Sequence, residues 1–269
     1  MRTFVIGDIH GAHKALQQVL QLSEFDYERD TLITLGDICD GWNHVYECIE
    51  ELLKIKNRID IKGNHDEWFY RFITHYSHPV DWKQGGLGTL ISYCRNLDKG
   101  YMIKYNDEGG YMTDLLDTDI PYQHIDFFRG QHKYYVDDNN NLFVHGGFER
   151  EFLLTEQYDQ HVFWWDRRLW LQALSCQDGQ KLKTKNNFNK IFIGHSATTK
   201  WSKQETITKG GIILPDLKTP ITTPMFSGGV WNVDTGAGFV GKLTIMEVQT
   251  EQYWQSDCVS KLYPGENSR

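Results

Sequence analysis

No run in this sequence approaches the length of a membrane span, and that argues against a transmembrane helix. Cysteine is sparse: Cys39, Cys48, Cys94, Cys176 and Cys258 are odd in number and show no CxxC spacing, which fits reduced thiols better than a disulfide framework. Positive charge is also in deficit, with 28 Lys and Arg against 36 Asp and Glu, a net charge of -8 and a pI near 5.7. Such a chain is not drawn over long range to nucleic acid or anionic membrane, although bound metal ions can reverse the field locally. A secretory leader would need a charged start and a long apolar stretch, whereas Thr3-Phe4-Val5-Ile6 enters a strand almost at once. Repeats and low-complexity stretches are missing as well. These absences lead us to expect a cytoplasmic protein with no nucleic-acid or membrane partner, and they leave its oligomeric state open.

What is present is 269 residues with 40% hydrophobic content, enough for one domain with a sizeable core. The first third alternates in period. Thr3 to Ile6 reads as a buried strand, Thr31 to Leu35 as the next strand and Arg58 to Ile61 as a short one, while Lys14 to Leu22 and Val45 to Ile55 carry helical spacing. This βαβαβ pattern predicts a parallel sheet, whose ligands bind beyond the carboxyl ends of the strands. From about residue 68 to residue 133 the pattern loosens into an aromatic-rich, mostly helical cap-like insertion with helices expected at Leu87 to Leu97 and Ile125 to Gly130. Strands resume at Lys133 to Val136, turn at Asp137 to Asn141, and continue at Leu142 to Val144, Ile191 to Ile193, Val230 to Val233 and Lys242 to Val248. The tail from Pro264 to Arg269 reads as frayed.

Five Gly-rich loops, each entered from one of these strands, carry six residues of metal-ligand type. They are Asp8 and His10 in Gly7-Asp8-Ile9-His10-Gly11, Asp37 in Gly36-Asp37-Ile38-Cys39-Asp40-Gly41, Asn64 in Gly63-Asn64-His65-Asp66, His145 in His145-Gly146-Gly147, and His195 in Gly194-His195-Ser196. Any one loop is a weak signal, since Asp and His cap helices and fill turns; the joint occurrence is what points to a site. Carboxylates, an amide oxygen and imidazoles suit two divalent ions such as Mn²⁺, Fe or Zn²⁺. One assignment places Asp8, His10 and Asp37 on the first ion and Asp37, Asn64, His145 and His195 on the second, with Asp37 bridging. Such a pair can hold a shared hydroxide for direct attack on phosphorus. His65 follows Asn64 and is free to act as general acid, with Asp40 to orient it. Asp66 and Glu67 read as helix N-terminal groups or as supports behind the ligands.

The series resembles the calcineurin-like metallophosphoesterase superfamily, and within it the serine/threonine phosphoprotein phosphatases, especially bacterial and phage members and the symmetrical diadenosine tetraphosphatases. The resemblance runs from Gly7 to about Thr244. It includes Trp82, Gly85-Gly86-Leu87-Gly88-Thr89-Leu90 and Ser92-Tyr93, then Phe143 to Gly147, Trp165-Asp166-Arg167, Val233 to Ala237 and Gly241 to Thr244. It implies an α/β fold, a four-layer α-β-β-α sandwich, with two divalent metals often supplied as Mn²⁺. Its ligands fall on Asp8, His10, Asp37, Asn64, His145 and His195, its acid histidine on His65, and the partner of that histidine on Asp40. A phosphate-gripping arginine falls on Arg167, with Arg168 as rival.

Two departures stand out. Where the family has Asp-Arg-Gly after the bridging aspartate, this chain has Asp40-Gly41-Trp42, so one phosphate-gripping arginine is missing. Trp42 either packs or stacks on a base or aryl group, as do the cap aromatics Trp68, Tyr70, Tyr76, Trp82 and Tyr93. At the place where many phosphodiesterases of the superfamily put another ligand histidine stands Ala197, which favours the phosphatase and tetraphosphatase branch. The leading expectation is a phosphomonoesterase, with phosphoserine or phosphothreonine in proteins as the family-level substrate. The alternatives are a symmetrical dinucleoside tetraphosphate hydrolase or phosphodiesterase, and a non-catalytic phosphate-binding protein.

Overall fold

A computed structural model describes residues 1–75, 80–97, 103–105, 110–203, 207–209, 212–214 and 219–268. In chain order the N-terminal part runs β1 (Thr3–Ile6), α1 (His13–Leu22), β2 (Thr31–Thr34), α2 (Val45–Leu53), β3 (Asn57–Asp60) and α3 (Asn64–His75). The middle holds α4 (Gly86–Asn96), β4 (Ile103–Tyr105), β5 (Tyr111–Thr113), α5 (Tyr122–Gly130), β6 (Tyr134–Val136), β7 (Leu142–Val144), α6 (Val162–Trp165) and α7 (Arg168–Leu174). Next come β8 (Ile191–Ile193), β9 (Ser202–Lys203), β10 (Ile207–Lys209), β11 (Ile212–Leu214) and β12 (Thr219–Pro220). The chain closes with β13 (Met225–Ser227), β14 (Val230–Asn232), β15 (Thr244–Glu247), β16 (Tyr253–Gln255) and α8 (Val259–Leu262).

Two five-stranded sheets form the centre, ordered β16-β15-β1-β2-β3 and β13-β14-β8-β7-β6. In the first, β1, β2 and β3 are parallel, as the βαβαβ pattern predicts, and β15 runs antiparallel to β1. In the second, β8 is parallel to both β7 and β14.

Strand alternation sorts the side chains into layers. Val5, Ile33, Phe143, Phe192 and Met246 meet between the sheets, where Phe143 and Phe192 stack with ring centres 4.9 Å apart. Their strand neighbours point the other way. Phe4, Ile6 and Leu32 pack under α1 and α2, while Leu142, Val144, Ile191 and Ile193 pack under Leu169 and Trp170 of α7. Three apolar layers between four structural ones make the α-β-β-α sandwich.

The stretch expected to loosen near residue 68 is already helical at Asn64, where α3 begins. Asn64-His65-Asp66 are weak helix formers, so their sequence hides a first turn that tertiary hydrogen bonds stabilise. Phe69, Phe72, Trp82, Tyr93 and Phe128 then join the same cluster as α1 and α2. Tyr76 lies outside the described residues.

The tail also differs from the frayed expectation. Glu266 pairs with His44 at 3.1 Å and Ser268 donates to the carbonyl of Gly238. Arg269 falls outside the described residues. No helix among the described residues is long and apolar enough to cross a membrane.

Candidate metal centre

Every sequence-predicted ligand sits just past the carboxyl end of a strand. Asp8 and His10 follow β1, Asp37 follows β2, Asn64 follows β3, His145 follows β7 and His195 follows β8. The two sheets therefore bring together residues as distant as Asp8 and His195. Donor atoms of Asp8, His10 and Asp37 lie within 4.8 Å of one another, and so do those of Asp37, His145 and His195. Asp37 belongs to both groups, the place of a bridging ligand. All six residues are buried.

Tight turns are the means. His10, Asp37, Asp40 and His195 all adopt left-handed backbone conformations, with φ of 50°, 50°, 65° and 61°. Such conformations are costly for non-glycine residues and persist only where the surroundings enforce them, as at functional sites. Gly194 shows the closeness required, because a Cβ there would come within 2.1 Å of Asp8 Oδ1.

Hydrogen bonds aim the donors. His10 Nδ1 donates to the carbonyls of Cys39 and Asp40 at 2.9 and 2.7 Å, and His145 Nδ1 donates to that of Leu35 at 2.7 Å. Carbonyls only accept, so both Nδ1 atoms carry the proton and each Nε2 is left for the cluster. These Nε2 atoms stand 3.6 and 3.4 Å from Asp37 Oδ2. His145 Nε2 also faces Asn64 Oδ1 at 3.2 Å, two lone-pair atoms that need a proton or a cation between them. His195 Nε2 is buried with no hydrogen-bond partner among the described residues. An orphaned imidazole nitrogen, converging carboxylates and acceptors facing each other fit divalent cations.

The electrostatics agree. Burial works to raise the Asp37 carboxyl, but the imidazoles of His145, His65 and His10 overcome it and hold the group well below the usual carboxylate range. Burial works to lower His145, yet Asp37 raises it. Burial and neighbouring His145 push His195 well below its ordinary value, keeping it neutral and able to ligate.

Beside the cluster, His65 Nδ1 lies 2.9 Å from Asp40 Oδ2. The other oxygen, Asp40 Oδ1, accepts from Trp82 Nε1 at 3.0 Å and Thr89 Oγ1 at 2.7 Å, and Asp40 N–H donates back to Thr89 Oγ1 at 3.0 Å. The Trp, Gly-Gly, Thr-Leu segment of the sequence is therefore a latch on Asp40. Asp66 supports the neighbouring loop: its carboxylate accepts the N–H groups of Ile38, Cys39 and Gly63 and the side-chain amide of Gln131. Burial, together with the charge of Asp37, raises the Asp66 carboxyl to about 6. Glu67 instead faces outward to Lys62 and Arg71.

Arg167 reaches the centre and Arg168 does not. The first donates to the carbonyl of His195 and, at 3.2 Å, to Ser196 Oγ; the second turns away to Asp166 and Glu149. Trp42 packs, stacked on Tyr263 with 5.0 Å between ring centres and its Nε1 donating to Ala237. Gly41 sits at φ 138°, where a Cβ would meet the carbonyl of His10 at 2.8 Å, so this turn has no room for the family arginine.

Trp82 and Tyr93 are fully buried and offer no stacking face. The aromatic at the rim is Trp165, which the sequence offers within Trp165-Asp166-Arg167 but with no role of its own. Trp165 is 41% exposed, edge-on to His195 at 6.0 Å and 5.4 Å from Trp68, which itself stands 4.7 Å from His65. Asn232 is also missed by pattern reading; its amide donates to the carbonyl of Ser196 at 2.7 Å and fixes the His195 loop.

The model of the calcineurin-like phosphoesterase family matches residues 1–208. A symmetrical bis(5'-nucleosyl)-tetraphosphatase from Coxiella burnetii is 33% identical over 64 residues, 24% of this chain and 22% of that protein. The match thus spans less than a quarter of the relative. Among solved structures, a candidate diadenosine tetraphosphatase superposes with a TM-score of 0.55 at 14% identity, covering 94% of this chain and 92% of the other. A protein serine/threonine phosphatase from Saccharomyces cerevisiae gives a TM-score of 0.52 at 13% identity, covering 100% and 82%. At these identities the structural likeness concerns the fold.

Proposed function

The chain belongs to the calcineurin-like phosphoesterase family, and from that premise we propose that it is a dimetal phosphoesterase that hydrolyses phosphomonoesters at the centre formed by Asp8, His10, Asp37, Asn64, His145 and His195. The observation that carries this reading is the convergence of Asp8, His10, Asp37, His145 and His195, with Asn64 against His145, beside a His65–Asp40 pair whose own Nδ1–Oδ2 distance is 2.9 Å. Two divalent cations, Mn²⁺ foremost, suit the mixed oxygen and nitrogen donors. Bound there, they supply Lewis acidity toward phosphoryl oxygens and make water acidic enough to react near neutral pH.

The chain's own residues divide the remaining work. His65 donates a proton from Nε2 to the departing oxygen, because its Nδ1–H is held by Asp40, whose charge favours the imidazolium. Trp82 and Thr89 occupy the other carboxylate oxygen and keep that pairing in one geometry. Arg167 spends one nitrogen on the His195 loop and has further N–H donors for a phosphate oxygen.

A second reading, hydrolysis of a dinucleoside polyphosphate, is supported by the partial likeness to symmetrical tetraphosphatases and by the arginine missing at Gly41. The experiment is turnover by metal-stripped, Mn²⁺-reloaded protein on p-nitrophenyl phosphate, bis-p-nitrophenyl phosphate, a phosphothreonine peptide and diadenosine tetraphosphate. Selective turnover of the monoester and the peptide is expected. Preference for the dinucleotide or diester establishes the second reading, and silence on all four removes the catalytic account.

A further inference from the structure

A cavity of about 620 Å³ adjoins the metal centre on the side of the second sheet. Trp165 and Arg167 belong to both places. They wall the cavity, and each also touches His195, Trp165 through its ring edge and Arg167 through the backbone carbonyl. Any ester whose phosphoryl group reaches the metal ligands therefore has space for the rest of the molecule beside Trp165.

The lining has a specific chemistry. A tryptophan 41% exposed next to a catalytic-type cluster offers an apolar planar surface, unlike Trp42 and Trp82, which are buried against other rings. Around it stand Tyr158, His161, Asp159, Glu149 and Arg168, with Glu149 paired to Arg168 at 3.3 Å and Asp159 to His161 at 2.9 Å. Beyond those pairs, each carboxylate has a second oxygen that can accept from the amino and imino N–H groups that purine bases carry at their edges. Of the two arginines in the lining, Arg167 is directed to the His195 loop and Arg168 to Asp166 and Glu149.

We infer that this cavity is a base subsite: Trp165 stacks the purine of a nucleoside phosphate while Arg167 and the metal centre take its phosphate. This rests on the phosphoesterase reading of the same centre and adds the substrate class to it. A stacked base contributes enough to be measured, since removing an aromatic platform from a base typically costs about tenfold or more in affinity.

The test is calorimetric binding to the Mn²⁺-loaded protein of α,β-methylene-ADP, which presents adenosine on a non-hydrolysable diphosphonate, and of methylenediphosphonate, which lacks the nucleoside. The wild type should bind the first about tenfold more tightly. Trp165→Ala should erase that preference while methylenediphosphonate binding holds, and Trp165→Phe should retain most of it. Equal affinity of the two ligands for the wild type, or an intact preference in Trp165→Ala, overturns the subsite. Loss of both ligands in Trp165→Ala also overturns it, by placing the residue in the scaffold of the metal centre. Failure of the phosphoesterase reading registers separately, as absence of p-nitrophenyl phosphate turnover by the same wild-type preparation.

Discussion

The two sides of the site are built differently. On the side of the first sheet, Asp37, Asp40 and Asp66 are all but inaccessible, and their oxygens meet buried groups and backbone N–H donors such as His65, Thr89 and the amides of Ile38 and His65. On the side of the second sheet, His195 has an orphaned nitrogen, and its neighbours Trp165 and Arg167 are exposed. The carboxylate side must hold negative charges near one another, which low-dielectric surroundings tolerate only with fixed partners and cations. On the imidazole side Trp165 and Arg167 stand exposed at the rim, the place where a substrate would enter. Rigidity and access are thus assigned to different sheets.

The largest expected effect comes from the residue common to both clusters. Asp37→Asn should lower turnover of every substrate well beyond the roughly 10- to 100-fold loss typical of residues behind the ligands, and steady-state kinetics on p-nitrophenyl phosphate will check it. A loss within that lower range would make Asp37 a support. His65→Ala comes next. It should cut kcat about 10²- to 10⁴-fold for alkyl phosphates and far less for p-nitrophenyl phosphate, whose leaving group needs little protonation. Equal losses on both would remove the acid role.

Smaller effects sharpen the contrast between the sides. Arg167→Ala, on the open side, should reduce kcat/KM roughly 10- to 100-fold through loss of charge-assisted hydrogen bonds, with little change in thermal midpoint. Thr89→Val, on the closed side, should cost up to about tenfold in kcat and also lower the thermal midpoint, because Asp40 Oδ1 and the Asp40 N–H each lose a buried partner. If Arg167→Ala destabilises while Thr89→Val does not, the division between the sides is wrong.

Much of this arrangement can be read from the chain before it folds. Asp8, Asp37, His145 and His195 each follow an apolar run that terminates in a Gly-rich turn, Asn64 follows the alternating Arg58 to Ile61 and Gly63, and strands such as Thr3–Ile6 and Ile191–Ile193 have the boundaries the pattern predicts. What escapes is side-chain hydrogen bonding over long separations. Periodicity carries no trace of Asp66 accepting from Ile38, of Thr89 on Asp40, or of Asn232 on Ser196. Three-residue strands such as β13 and β16 are too short to display an alternation, and α3 starts on residues with low helix propensity. Exposure of Trp165 is likewise a property of packing; in the sequence it is one aromatic among 9 tryptophans.

The central claim is that six residues from two sheets hold two metal ions with Asp37 between them. Its most direct test is the metal content of Mn²⁺-reloaded wild-type and Asp37→Asn protein, measured after removal of free ion. The account predicts two ions bound per wild-type chain and a clear deficit in the variant. Two ions in both proteins, or none retained by the wild type, would contradict it.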